Sequence, residues 1–364
     1  MKAAVMMKKG ELKVIDVPEL KPDEYQALVK ISHCSICNGT DWKLLMGTFP
    51  PPPFAIPNLF PYGDVGWYPG IMGHESVGEV IEVGSKVTKF KKGDKVLRVG
   101  AFYPGKDVKF KSYWGGFAEY GLVEDVHAME KGAPDRVGPI NYMQQVVPSD
   151  FDGAQATMLI TMKEICSAVQ NFGVKPKESF FVWGDGPVGL CFARWVKITG
   201  AYPVILCGRH DDRLAFALKF GADFVINQKK ENVAEKVMKY TDGQGVAKVA
   251  NAVGTNKLIE DSLDFLANMG TIGMYGLQDT STPPKPEQTT INFGKRIFTW
   301  NGWNLGAVGP DEARVHQQVL DAVKFGIFDP KSLITHVMPL AEIREGMELI
   351  KQRKALKVVV ECGK

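Results

Sequence analysis

The chain has 364 residues, 45% hydrophobic and 23% charged, with a formal net charge of +3. That length exceeds the usual single-core size and predicts two domains with substantial cores, and the composition excludes a disordered or fibrous protein. So weak and scattered a positive charge excludes a nucleic-acid or membrane footprint and leaves small molecules as the expected partners.

At the N-terminus, "MKAAVMMKKGELKVIDV" has its apolar stretch broken by Lys8 and Lys9, so it lacks the run a signal peptide needs. No later apolar span reaches about 18 residues, so a cytoplasmic protein is expected. Six cysteines in a chain this long, irregularly spaced apart from Cys34 and Cys37, do not make a disulfide framework. Up to residue 150, runs such as "ALVKIS", "GEVIEVG" and "GDKVLRVG" read as strands of a β-rich module. A proline-rich loop, "TFPPPPFAIPNLFPYGDVGWYPG", interrupts it and is too long for a mere connector.

From residue 151 the pattern changes. "DGAQATMLITMKEICSAVQNFG" reads as a helix, and "SFFVWG", "PVGLCFARWVKITG", "PVILCG" and "RLAFALKFG" then alternate strand with helix. Such alternation predicts a doubly wound parallel sheet with helices on both faces. Further strands are expected at "AKVANAVG" and "TIGMYG", and the tail closes with a helix, "AEIREGMELIKQR", and a strand, "KVVVE".

The run "WGDGPVG" follows a predicted strand and opens a helix, giving Gly184, Gly186 and Gly189 the G-x-G-x-x-G spacing. Each glycine has a reason: Gly184 permits the tight turn, Gly186 lets backbone approach a pyrophosphate, and Gly189 lets helix and strand pack closely. The helix N-terminus, begun by Pro187 and Val188, faces the phosphates with its unpaired N–H groups. At the end of the next strand, where an NAD-binding acidic residue is expected, stand Gly208 and Arg209. Gly208 leaves no carboxylate there and Arg209 suits a 2′-phosphate, so NADP is the expected cofactor, with NAD second. A solvated surface arginine is the alternative. Arg213 assists or is solvated, and Asp211 and Asp212 fit better as the cap and first turn of a helix that Gly221 ends.

Between glycines, "GHESVGEVIEVGSKV", continued by "KKGDKV", sets His74 beside Glu75. This stretch resembles the zinc signature of the medium-chain dehydrogenases, the alcohol and polyol dehydrogenase superfamily. "GGFAEY", "GDGPVGL", "RLAFALKFGADFVIN", "NAVG", "ITHVMPL" and "KVVV" come in the family's order, so the resemblance covers nearly the whole chain. It implies a GroES-like catalytic domain over 1–160 and 303–364, a Rossmann domain over 161–302, and Val253 of "NAVG" among the cofactor-binding residues. It implies a zinc held by Cys37 and His74, with Glu75 bound directly or just behind. Three protein ligands leave a fourth position open, where zinc lowers the pKa of a substrate hydroxyl.

Two departures stand out. Asn38 and Gly39 both intervene between Cys37 and Thr40, one residue more than the family's spacing, and a register without a gap would put Asn38 in the cysteine's place. The family's third ligand falls on Ile160 and Thr161, so it is unassigned; Glu75 enters directly, or Glu164, one helical turn on from Ile160, reaches the site. Cys34 is a buried thiol or, remotely, half of a redox dithiol. Thr40 relays a proton, caps the helix of "TDWKLL", or both. Lys43 stands where many relatives carry histidine; it completes the relay or is simply exposed.

The expected activity is hydride transfer between NADP(H) and a secondary alcohol, from a polyol or sugar, with one catalytic zinc. No structural zinc is expected, because no cysteine lies between Val96 and Gly115. The polyol expectation rests on the aromatic residues of the proline-rich loop and on Trp300, Asn301, Trp303 and Asn304, which combine apolar walls with amides. Two alternatives are a zinc-independent reductase of an activated double bond and a non-catalytic sensor of nicotinamide nucleotides. The resemblance also implies a homo-oligomer, dimer or tetramer.

Overall fold

The computed structural model describes residues 1–48, 68–103, 109–112, 114–276, 298–302 and 308–363. They fall into two compact units, Met1–Lys163 with Leu305–Lys364, and Glu164–Asn304.

In the first unit, alternating apolar residues build strand Gln26–Ser35, in which Ala27, Val29 and Ile31 are fully buried. This strand is the hub of a seven-stranded sheet: it pairs antiparallel with Glu75–Val83, Tyr120–Glu124 and the C-terminal strand Lys357–Glu361. Both ends of the chain therefore build one core, with Val358 and Val360 packing among Ile31, Met72 and Val80. Two registers fix the neighbours of Cys37. Ser35 lies opposite Glu75, and Val359 lies opposite Ser35, so the start of the last strand runs beside the cysteine. A second, four-stranded sheet carries Lys2–Lys8 and Gly70–Ile71, the latter just ahead of His74.

The second unit is a six-stranded sheet with every pairing parallel. Its order across the sheet is Phe224–Asn227, Val204–Gly208, Phe180–Trp183, Val246–Asn251, Leu266–Met274, Phe298–Gly302. Phe180–Trp183 and Val204–Gly208 are buried along their whole length, as strands covered on both faces must be. The chain leaves the central strand Phe180–Trp183 to one side and later returns on the other, at Val246–Asn251. In open parallel sheets, ligands bind at such a switch point, beyond the carboxyl ends of the strands, and the turn after Trp183 is the glycine-rich one.

Candidate active site: a metal corner and a dinucleotide turn

The candidate metal corner is built from three residues, Cys37, His74 and Glu75. Gly73 has φ +105°, and a Cβ there would come within 2.7 Å of the Phe117 ring, so only glycine lets the backbone turn His74 and Glu75 inward at this point. Cys37 comes from the turn before the short helix Asp41–Leu45, where its N–H donates to Asp41 Oδ2 at 2.8 Å. One ligand atom each from Cys37, His74 and Glu75 lie within 4.8 Å of one another. Asn38 is turned elsewhere, donating from Nδ2 to the Leu356 carbonyl at 3.0 Å, and it is the Cys37 thiol that lies near His74.

His74 is buried with its Nδ1 3.6 Å from Asp41 Oδ1, and neither atom has a hydrogen-bond partner among the described residues. Burial alone would lower the imidazole pKa; Cys37 and Asp41 beside it outweigh burial and raise it well above its ordinary value. The corner thus attracts a cation, and thiol, imidazole and carboxylate form a donor set that suits zinc.

Glu75, 2% exposed, is enclosed on every side. Its Oε2 is bonded by the Lys357 ammonium and by the Ser35 hydroxyl, and its Oε1 accepts from Thr161 Oγ1 at 3.1 Å. Burial works to raise its pKa, but Lys357, His74 and Ser35 hold it below the usual carboxylate range. Behind His74, Arg98 donates from Nη1 to the His74 carbonyl at 2.8 Å and from Nη2 to Glu312 at 2.9 Å. Its guanidinium lies 5.0 Å from the centre of the Trp114 ring, which is 5.8 Å from the His74 ring.

The other residues singled out in the sequence take varied places. Thr40 is half-buried at the N-cap position, and its side chain makes no capping bond. Lys43 is half-buried on the same short helix and Cys34 is fully buried. Glu164 is not in the Cys37, His74, Glu75 group; its carboxylate accepts from the Tyr275 hydroxyl at 3.1 Å. Of the aromatic residues in the proline-rich loop, Tyr68 donates to the Leu45 carbonyl at 3.0 Å, whereas Phe49, Phe54, Phe60, Tyr62 and Trp67 lie outside the described residues. So do Trp303, Asn304 and the side chains of Trp300 and Asn301. Sequence reasoning missed Ser35, Asp41, Arg98 and Lys357. The one available signal was a lysine opening the otherwise apolar strand "KVVV".

At the glycine-rich turn after Trp183 each glycine has its own backbone surroundings. Gly184 has φ +115°, a Cβ on Gly189 would meet the Gly184 carbonyl at 1.9 Å, and a Cβ on Gly186 would meet nothing within 4 Å. Gly189 therefore lets helix Pro187–Ile198 press onto the strand, while Gly186 faces open space. Gly186 caps that helix without a side-chain bond, Pro187 occupies its first turn and Val188 is half-buried. Exposed Val253 lies beside Gly184, in a turn held by Asn251 Oδ1, which accepts from the Val253 and Gly254 N–H groups at 3.1 and 2.9 Å.

Arg209 is exposed and Arg213 is buried. The N-cap of the next helix, Asp211–Phe220, is His210 rather than an aspartate, and Gly221 ends it. Asp211 and Asp212 both stand in its first turn, as expected, and Asp211 accepts from Asn227 Nδ2 at 2.7 Å. The expectation of a corner without a carboxylate is overturned too: Asp185 Oδ2 accepts from the Arg209 and His210 N–H groups, immediately beyond Gly208.

A parallel dinucleotide-binding sheet combined with a β-rich unit that carries a Cys–His–Glu corner defines a metal-type nicotinamide dehydrogenase. Comparison with known proteins agrees: the zinc-binding dehydrogenase profile matches residues 187–321 and the alcohol dehydrogenase GroES-like domain matches residues 23–133. The chain belongs to the zinc-type medium-chain dehydrogenase superfamily. An alcohol dehydrogenase of Cupriavidus necator is 26% identical, covering 99% of this chain and 98% of the relative. An L-threonine 3-dehydrogenase of Pyrococcus horikoshii is 29% identical, with 96% and 94% covered. A D-arabitol-phosphate dehydrogenase of Enterococcus avium is 27% identical, with 96% and 93% covered. Among solved structures, the alcohol dehydrogenase TADH from Thermus sp. ATN1 shares the fold with a TM-score of 0.76 at 24% identity, over 99% of both chains. Among the described residues no helix is long and apolar enough to cross a membrane.

Proposed function

We propose that the protein transfers hydride between NADP(H) and a secondary alcohol or ketone of a polyol or sugar, with one zinc held by Cys37, His74 and Glu75. The observation that carries this reading is the convergence of those ligand atoms within 4.8 Å, beside a buried His74–Asp41 pair whose facing atoms lack partners among the described residues. A zinc ion in the corner would supply Lewis acidity toward a substrate oxygen. The chain's own residues have distinct tasks. Asp41 orients the His74 ring, and Lys357, Ser35 and Thr161 fix the Glu75 carboxylate, so the ligands are held before metal arrives. Thr40, whose hydroxyl is not spent on the helix cap, is the candidate to pass a proton from the substrate, with Lys43 as the candidate next station.

Arg209 supports the phosphate-bearing cofactor, since a charge-assisted bond to a 2′-phosphate contributes about 1.5–3 kcal/mol. Relatives named for L-threonine and D-arabitol phosphate show that the family's substrates extend to molecules with several polar groups, which supports a polyol or sugar. The test is a panel of polyols, sugars and simple primary alcohols with NADP and NAD. The highest kcat/KM is expected on a polyol or sugar. A simple primary alcohol well ahead of every polyol and sugar would refute the substrate class.

A further inference from the structure

Gly208 ends its strand at the place where an acidic residue is expected to meet the adenosine ribose of NAD. An ideal Cβ at Gly208 would come 2.5 Å from both Cβ and Oδ2 of Asp185. The Asp185 side chain, rising from between Gly184 and Gly186, therefore fills the volume of the side chain that residue 208 lacks. It is 6% exposed and well anchored. Its Oδ2 accepts from the N–H of Arg209 at 2.7 Å and the N–H of His210 at 2.9 Å, and is 2.8 Å from the His210 ring Nδ1. Its other oxygen, Oδ1, makes none of these bonds.

The consequences for a cofactor are electrostatic. The N–H groups of residues 209 and 210 stand at the strand's end and at the start of helix Asp211–Phe220, where an anion is stabilised. A carboxylate already takes both. Arg209, an exposed residue that supplies one of these N–H groups, draws a 2′-phosphate toward the same corner. We infer that Asp185 is a specificity-determining residue opposed to Arg209: its carboxylate occupies the amides a 2′-phosphate would use and sets negative charge beside it. The native preference for NADP(H) over NAD(H) is therefore small, and it rises when the carboxylate is removed. This rests on the reading of the turn as a nicotinamide-nucleotide site with Arg209 at its phosphate end.

The experiment measures Kd for NADPH and for NADH, by nicotinamide fluorescence, in the wild type, Asp185→Asn, Asp185→Ser and Arg209→Ala. Asn is isosteric and keeps an acceptor for both N–H groups while losing the charge. The expected result is that Asp185→Asn shifts the NADPH-over-NADH preference upward by about tenfold, as removal of one nearby like charge should. Asp185→Ser should shift it the same way, and decides the matter if the Asn variant does not fold. An unchanged or lowered preference in the variant that folds overturns the inference and makes Asp185 a clamp of the loop alone. The Arg209 reading fails separately, if Arg209→Ala leaves the preference unchanged while Asp185→Asn still raises it.

Discussion

Two buried carboxylates, Glu75 and Asp185, sit at the two candidate sites of this chain and are satisfied in opposite ways. Glu75 is held by side chains from Ser35, Thr161 and Lys357, positions spread over most of the chain. Asp185 is held by two backbone N–H groups and one ring, all on neighbouring residues of a single loop. A carboxylate bound by backbone amides depends little on which side chains surround it, whereas one bound by a distant ammonium depends on a single residue. The corner in the first unit is thus fragile to point substitution, and the turn in the second is sturdy.

The largest expected effect breaks the fragile side outright: His74→Ala removes a ligand, and turnover should fall to the assay background. Full activity in that variant would mean that the corner is not catalytic. Next comes Lys357→Met, which leaves the Glu75 charge buried without its cation. Loss of about 3–5 kcal/mol of stability is expected by urea denaturation, with Lys357→Arg retaining most of it. Lys357→Met combined with Glu75→Gln should recover much of the loss; a double variant as unstable as the single one would show that the pair is not the cause.

A third prediction concerns acid. In the same unit His316 Nε2 donates to the Val146 carbonyl at 2.9 Å. Burial, with Lys163 and Lys89 nearby, pushes its pKa down to about 4 from 6.5. The folded state therefore prefers the neutral ring and the unfolded chain takes up the proton. Stability from this residue is fully present above about pH 6.5 and is lost as pH falls toward about 4, by about 3 kcal/mol in all. His316→Gln, which keeps a donor for Val146, should flatten the dependence of the urea midpoint on pH across that window. A slope identical to the wild type would contradict the assignment. The smallest effect is at Asp41: Asp41→Asn can still accept from the Cys37 N–H but loses the charge facing His74. Zinc affinity should drop about 10–100-fold in a chelator competition, and an unaltered affinity would show that Asp41 does not orient the ring.

The same contrast explains what the sequence made legible. The glycine-rich turn could be read residue by residue because its determinants are contiguous: Gly184, Gly186 and Gly189 come after a fully apolar strand and open a helix, and the parallel sheet is implied by the strand–helix alternation. His74 and Glu75 stood out because they are adjacent between glycines. Lys357 did not, because its place beside Glu75 depends on the antiparallel pairing of Lys357–Glu361 with Gln26–Ser35, a register that no local pattern specifies. Asp185 was in full view within "WGDGPVG", yet its role appeared only once the Cβ position of Gly208 was seen to lie within its side chain. The gap of Asn38 and Gly39 behaved alike: counting alone leaves two registers, and the hydrogen bond from Asn38 to Leu356, far along the chain, turns Asn38 away and the thiol toward His74.

Whether Cys37, His74 and Glu75 form a working metal corner is decided by zinc analysis of the purified protein by mass spectrometry, wild type against Cys37→Ser. One zinc per chain is expected in the wild type and close to none in the variant, with activity lost in parallel. Equal zinc in both proteins, or full activity in a wild type stripped of metal, would contradict it.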